Sequence, residues 1–287
     1  MKFGVNMFIW TANFDGRSLH LLPMVKQAGF DSFEVPIFRP REFAARDIRR
    51  GAEENGLEPT VCTVLTGGLN TIDADADVRR RTIAHWKDCI QAVADAGAHL
   101  LVGPLYAPVG WLPGRRRTDD EWKWAVECFQ ALGDTLAANQ VSLAIEPLNR
   151  FETFFLNTTA DGVRLCDEVG HPNVGLLIDT FHANIEEKDV AAAYRLAAPY
   201  LKHVHTCEND RGTPGSGHID WPGVFQALRD IGYDGCLTIE SFGFALGEIS
   251  AAASIWRDLA PTPDSIAIDG VKFLRRHMAS PAARSSF

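Results

Sequence analysis

The sequence predicts an α/β protein built as a (β/α)8 TIM barrel, and three observations carry that prediction. Short apolar strands alternate with amphipathic helices along the chain, and eight strands can be counted. The 287 residues suit eight βα units of about 30 residues each, and barrels of this class often run to about 250 residues undivided. Ionisable residues stand at the exits of the last four strands, the end at which a parallel barrel builds its site. An open doubly wound sheet would give a similar alternation. No linker or shift in composition divides the chain, so residues 1–278 are expected to form a single domain and 279–287 a frayed tail.

The first strand runs from Lys2 to Met7. A helix from Leu19 to Ala28 closes at Gly29 and gives the strand Phe30 to Val35; Glu42 to Asn55 closes at Gly56 and gives Leu57 to Val64. Val78 to Ala96 closes at Gly97 and gives His99 to Gly103. Glycine suits these helix ends because the residue that follows a helix often needs positive φ. Ile83, Trp86, Ile90 and Val93 follow the helical period as one buried stripe. Thr118 and Glu121 make a capping box, and Trp122, Ala125, Phe129, Leu132 and Leu136 continue that helix's apolar face. The fifth strand, Val141 to Ile145, ends on Glu146 because Pro147 brings no N–H to the ladder. A helix over Thr159–Val169 and the strand Asn173–Ile178 follow, then a helix over Val190–Ala198 and the strand Leu201–His205. Asp220 with Pro222 starts a helix on which Val224, Leu228 and Ile231 align, before the strand Cys236–Ile239. Residues 264–278 read as a closing helix.

Composition sets the broad class. Hydrophobic residues make up 46% and charged residues 23%, as in ordinary globular proteins. A net charge of −9 argues against a nucleic-acid partner, since phosphate contacts want a basic surface. The N-terminus reads as a strand rather than a signal peptide, and no apolar run reaches membrane-spanning length. Six cysteines without CxxC pairs, mostly in apolar segments, read as reduced thiols of a cytoplasmic protein.

Glu146, Asp179, His205 and Glu240 stand at four successive strand ends, 33, 26 and 35 residues apart. One such carboxylate alone is more often a helix cap or a salt bridge. Three of them brought together would repel strongly unless a cation held them, so the set points to one divalent metal ion. Oxygen-rich ligation with a single imidazole suits Mn²⁺, Co²⁺ or Mg²⁺ better than a tetrahedral zinc site, with Mn²⁺ taken first. Glu152, His182 and Arg211 fall in loops above the same mouth and can orient the hydroxyls of a small polar substrate. Phe8, Trp10, Trp111 and Phe242 are candidates for the pocket wall or for packing, and Glu34 at the second strand's end is similarly open.

On these stretches the chain resembles the ketose 3-epimerases (D-tagatose, D-allulose or psicose, and L-ribulose 3-epimerases) of the xylose-isomerase-like barrels. They are Glu146-Pro-Leu-Asn-Arg-Phe-Glu152 with Leu156-Asn-Thr158, Asp179-Thr-Phe-His-Ala-Asn-Ile-Glu-Glu187 and His203-Val-His-Thr-Cys-Glu-Asn-Asp-Arg-Gly212. Gly215-Ser-Gly-His-Ile-Asp220, Ile239-Glu-Ser-Phe242 and Ile255-Trp-Arg-Asp-Leu259 continue it. The resemblance is dense in the C-terminal half and rests on strand spacing in the other. It implies Glu146, Asp179, His205 and Glu240 as metal ligands, Glu146 and Glu240 also as catalytic carboxylates, and Glu152, His182 and Arg211 as substrate contacts. It further implies a homodimer or homotetramer. One departure stands out: after the metal histidine the family commonly carries Gly-Glu-Ser-His or Gly-Glu-Cys-Asn, where this chain has Cys207-Glu-Asn-Asp210.

The implied reaction interconverts C3 epimers of a free ketohexose or ketopentose through a metal-bound cis-enediolate. The alternative at the same site is an aldose–ketose isomerase, and Arg115-Arg-Arg117 raises a sugar-phosphate variant. A metal-dependent DNA-repair endonuclease would want more histidines and a basic face. A non-catalytic sugar-binding barrel would not need two opposed glutamates on a metal.

Overall fold

The structure is a computed structural model that describes residues 1–244 and 246–279. Its eight strands are β1 (Lys2–Asn6), β2 (Ser32–Pro36), β3 (Glu58–Cys62), β4 (Leu100–Gly103), β5 (Ser142–Ile145), β6 (Val174–Asp179), β7 (Leu201–Thr206) and β8 (Cys236–Ile239). They pair in chain order, and β8 closes on β1 in parallel with Val5 opposite Ile239. The sheet is therefore a closed barrel and not an open doubly wound one. Closure removes every sheet edge, and parallel strands place all eight C-terminal ends on one rim.

The apolar stripes of the helices face the outside of that barrel. Trp86, Ile90 and Val93 are buried on the long helix Ala76–Asp95, as are Trp122, Ala125 and Phe129 on Asp119–Gln130. Glycine is demanded at the end of β4, where Gly103 has φ 130° and an added Cβ would stand 2.2 Å from the carbonyl oxygen of Thr63. That close approach sets the rim beside the site.

Several elements differ from expectation for local reasons. The helix expected to run through Leu136 is two, Asp119–Gln130 and Gly133–Asn139. The Leu132 N–H bonds to Phe129 O, a tight turn that re-aims the second piece while Leu132 and Leu136 stay buried. The segment expected as a helix from Leu19 is a 3-10 turn over Gly16–Leu21 followed by an α-helix from Leu22, with Pro23 in its first turn. The helix expected from Glu42 starts at Ala45 after a 3-10 turn over Pro40–Glu42. Short helices over Thr180–Glu186 and Glu248–Ala252 span too few residues for any periodicity to announce them. The expected tail lies, apart from Ala279 at the end of the last helix, outside the described residues.

All six cysteines are free, five of them buried and Cys236 half-buried. No helix among the described residues is long and apolar enough to cross a membrane.

Candidate metal centre and active site

The last four strand ends each deliver one group to the rim. Glu146 follows β5, Asp179 ends β6, His205 lies one residue inside β7, and Glu240 follows β8. One ligand atom from each lies within 4.8 Å of the others, and all four residues are buried. The Nδ1 of His205 stands 3.4 Å from Glu240 Oε1 and 3.9 Å from Glu146 Oε1.

The tautomer of His205 follows from its other nitrogen. Nε2 lies 2.8 Å from Oε1 of Glu34, a fully buried carboxylate that also receives Asn6 Nδ2 at 2.8 Å and the Thr60 hydroxyl at 3.1 Å. A carboxylate accepts, so Nε2 carries a proton and Nδ1 points at the carboxylate cluster. Burial works against a charged ring, but Glu240 and Glu34 hold the His205 pKa well above its usual value, and a cation would take the place of the Nδ1 proton. His203 Nε2 lies 3.0 Å from the second oxygen of Glu34. Burial on its own would raise the Glu34 carboxyl, but His205 and His203 outweigh it and hold the group ionised, well below its usual value.

These residues fit a divalent cation. His205 Nδ1 and Glu146 Oε1 are buried without a hydrogen-bond partner, although buried polar atoms are nearly always satisfied. Glu146 Oε1 offers a lone pair, as do the carboxylates of Asp179 and Glu240 and, once a cation displaces its proton, His205 Nδ1, and a hard cation is what such a donor set lacks. Burial pushes the Glu146 carboxyl well up, with the charges of Glu240 and Asp179 adding to it. Asp179 is raised by burial against the pull of Arg211, whereas at Glu240 the effect of burial is outweighed by His205 and Arg211. The carboxylate side of the cluster already crowds negative charge.

Arg211 reaches the same place from the loop after β7. Its Nη1 lies 2.6 Å from Asp179 Oδ2 and 2.7 Å from Glu240 Oε2, and its Nη2 is 3.9 Å from Glu152 Oε1. The loop turns through a positive φ of 68° at Arg211 itself. It is anchored by the fully buried Glu208, whose carboxylate accepts Gly215 N–H at 2.8 Å, Ile219 N–H at 3.3 Å and Trp221 Nε1–H at 2.6 Å.

His182 lies on the helix Thr180–Glu186 and not in a loop as expected; Asp179 caps that helix by accepting from Phe181 N. The Nδ1 of His182 faces two donors of Asn149, the backbone N–H at 3.0 Å and the side-chain amide at 2.9 Å. Asn149 Oδ1 is taken by Phe151 N–H, which fixes the amide's orientation. So Nδ1 accepts, and Nε2 carries the proton. Burial and the charge of Arg211 keep the ring neutral, its pKa well below the ordinary value. Arg211 Nη2 lies 3.0 Å from that same Nε2. Two donors so close want a shared acceptor, the place of an incoming oxygen.

Above the polar floor the wall turns apolar. Phe8 and Phe242 stack with ring centroids 5.6 Å apart, and Phe38, Val109, Leu148 and Ile249 line the same cavity. Trp10 instead donates to Asp264, and Trp111 packs edge-on against Phe154. Arg115 grips Glu121 with both terminal nitrogens, and Arg117 holds Asp161 and Phe155 O. Neither arginine lines the cavity.

His203, Asn149 and Glu208 escaped the sequence reading as parts of the site, and Glu34 entered it only as an open candidate. Glu34 carried a signal, a strand-end carboxylate like the others. Asn149 and Glu208 lay inside the motifs quoted above, but nothing local tells what they touch.

Residues 22–277 match the family described as "Xylose isomerase-like TIM barrel". A probable ketose 3-epimerase of Synechocystis sp. is 40% identical over 276 residues, 96% of each chain. A D-psicose 3-epimerase of Agrobacterium fabrum is 33% identical over 280 residues, 94% of each. The crystal structure of D-allulose 3-epimerase from Methylomonas sp. in complex with D-allulose superposes with a TM-score of 0.91 at 26% identity, covering 96% of both chains.

Proposed function

The chain belongs to the ketose 3-epimerases of the xylose isomerase-like TIM barrel family, and we propose that it interconverts C3 epimers of a free ketohexose or ketopentose with Glu146 and Glu240 as the acid–base pair. The observation that carries this reading is the convergence of Glu146, Asp179, His205 and Glu240 around unsatisfied lone pairs at the barrel mouth. Those four residues would hold one divalent ion. Oxygen-rich ligation with one imidazole favours Mn²⁺, with Co²⁺ or Mg²⁺ as substitutes.

When bound, the cation supplies Lewis-acid polarisation of a ketose carbonyl, worth several kcal/mol of developing charge. The protein's own groups do the rest. One glutamate takes the C3 proton, and the electron pair of that C–H bond moves toward the C2 carbonyl. The other returns a proton to the opposite face of C3, which inverts the centre. Glu146 and Glu240 follow nonadjacent strands, as two opposed faces require. The configuration of the substrate at C3 decides which of them acts as base. His182 Nε2–H and Arg211 Nη2 share one substrate oxygen as acceptor, and Glu152 accepts from a hydroxyl at the rim.

Arg115 and Arg117 are committed to Glu121 and Asp161, and the far wall is apolar, which favours a free sugar over a phosphorylated one. We also read residues 1–278 as one domain of a cytoplasmic homodimer or homotetramer without nucleic-acid partners.

Candidate ketoses incubated with the protein and Mn²⁺ in deuterated water test the reaction. A new ketose labelled at C3 supports epimerisation, whereas an aldose labelled at C2 would replace it with aldose–ketose isomerisation. Glu146→Gln and Glu240→Gln should each lower turnover at least about a hundredfold. Near-normal turnover in either variant removes the two-carboxylate assignment.

A further inference from the structure

Cys207 follows β7 and is sealed from solvent. Its thiol donates to Asp179 Oδ1 across 3.3 Å, and the N–H of Phe181 donates to the same oxygen at 2.8 Å. The other oxygen, Oδ2, meets Arg211 and lies 3.9 Å from His182 Nε2. Thr180 fixes the backbone of Cys207: its hydroxyl donates to Cys207 O at 2.7 Å and accepts Cys207 N–H at 2.9 Å. A carboxylate free to turn about its Cβ–Cγ bond offers either oxygen to a cation. One whose Oδ1 already holds two donors offers Oδ2.

We propose that Cys207 is a positioning residue for the metal centre, a thiol donor that sets the orientation of Asp179 so that Oδ2 faces the ion. Outer partners of ligating carboxylates commonly change metal affinity by about 10- to 100-fold when removed, and a sulfur donor belongs at the lower end. The inference rests on the reading of Asp179 as a ligand, and the experiment separates the two.

Mn²⁺ is titrated calorimetrically into the chelator-stripped full chain, as wild type, Cys207→Ser and Cys207→Ala, with melting of each metal-free protein measured alongside. The expected result is a Kd raised about tenfold in Cys207→Ala and within about threefold of wild type in Cys207→Ser, whose hydroxyl keeps the donor. A merely structural role would lower the melting temperature and leave Kd in place. A folded Cys207→Ala with wild-type Kd overturns the proposal, as does a Cys207→Ser protein as weak as the alanine variant. If Cys207→Ala does not fold, Cys207→Val, near in volume and without a donor, is judged by the same result. Wild-type protein that binds no Mn²⁺ would defeat the metal reading and this inference with it; binding unchanged by Cys207→Ala defeats this inference alone.

Discussion

Replacing Glu34 by Gln tests how the barrel interior prepares His205 for the proposed cation. The carboxylate accepts the His205 Nε2 proton at 2.8 Å, and its second oxygen takes the Thr60 hydroxyl at 3.1 Å. Glutamine keeps the length and one acceptor oxygen but removes the charge. A hydrogen bond to a charged group contributes about 1.5–3 kcal/mol and a neutral one about 0.5–1.5 kcal/mol. The difference between the midpoints, about 1.25 kcal/mol, corresponds to nearly a tenfold change in an equilibrium constant. Glu34→Gln should therefore raise the Kd for Mn²⁺ about tenfold, by weakening the basicity and the fixed tautomer of His205. The assay is calorimetric titration of the chelator-stripped protein near neutral pH, followed by turnover at saturating Mn²⁺. Turnover there should stay within a few-fold of wild type, because Glu34 lies beneath the cavity and not in its wall. An unchanged Kd would refute the argument. So would a hundredfold loss of turnover with Kd intact, which would place Glu34 among the reacting groups.

Asn149→Ala removes one of the two donors that hold His182 Nδ1 as an acceptor; KM should rise about tenfold, near 1.4 kcal/mol, with a smaller change in kcat, and unchanged steady-state constants would sink the assigned tautomer. Glu121 receives Arg115 at 2.7 Å and the Thr118 N–H at 2.7 Å, contacts that outweigh burial and lower its pKa from 4.5. A depressed carboxyl pKa stabilises the fold above the unfolded value and loses that contribution as pH falls through the folded one. Glu121→Gln should therefore cost about 1 kcal/mol at neutral pH, and denaturant midpoints of the two proteins should converge in acid. A gap that persists at low pH would show that the effect is one of packing.

Much of the barrel was legible because its signals are local. Helix stripes, the glycines after them and the apolar strands each depend on neighbours within a few residues. The strand-end acids and His205 could be found because a βα unit has a nearly constant length. Gly133, with the tight turn before it, was harder to read, since Leu132 and Leu136 keep the helical stripe across the break. The helix that carries His182 is seven residues long, shorter than a periodicity can declare.

By itself, then, the sequence determined the eight-unit alternation, the four groups at the rim and the family those motifs resemble. The tertiary structure decided whether the sheet closes, and Val5 beside Ile239 settled that in favour of a barrel. It also decided the protons. His205 and Glu34 are 171 residues apart in the chain and 2.8 Å apart in space, and His182 takes its tautomer from Asn149, 33 residues upstream. An imidazole has one lone pair and one N–H to place, and which nitrogen receives which depends on a partner that only folding brings within reach. The sequence names the candidate ligands; the closed barrel aims them at one another.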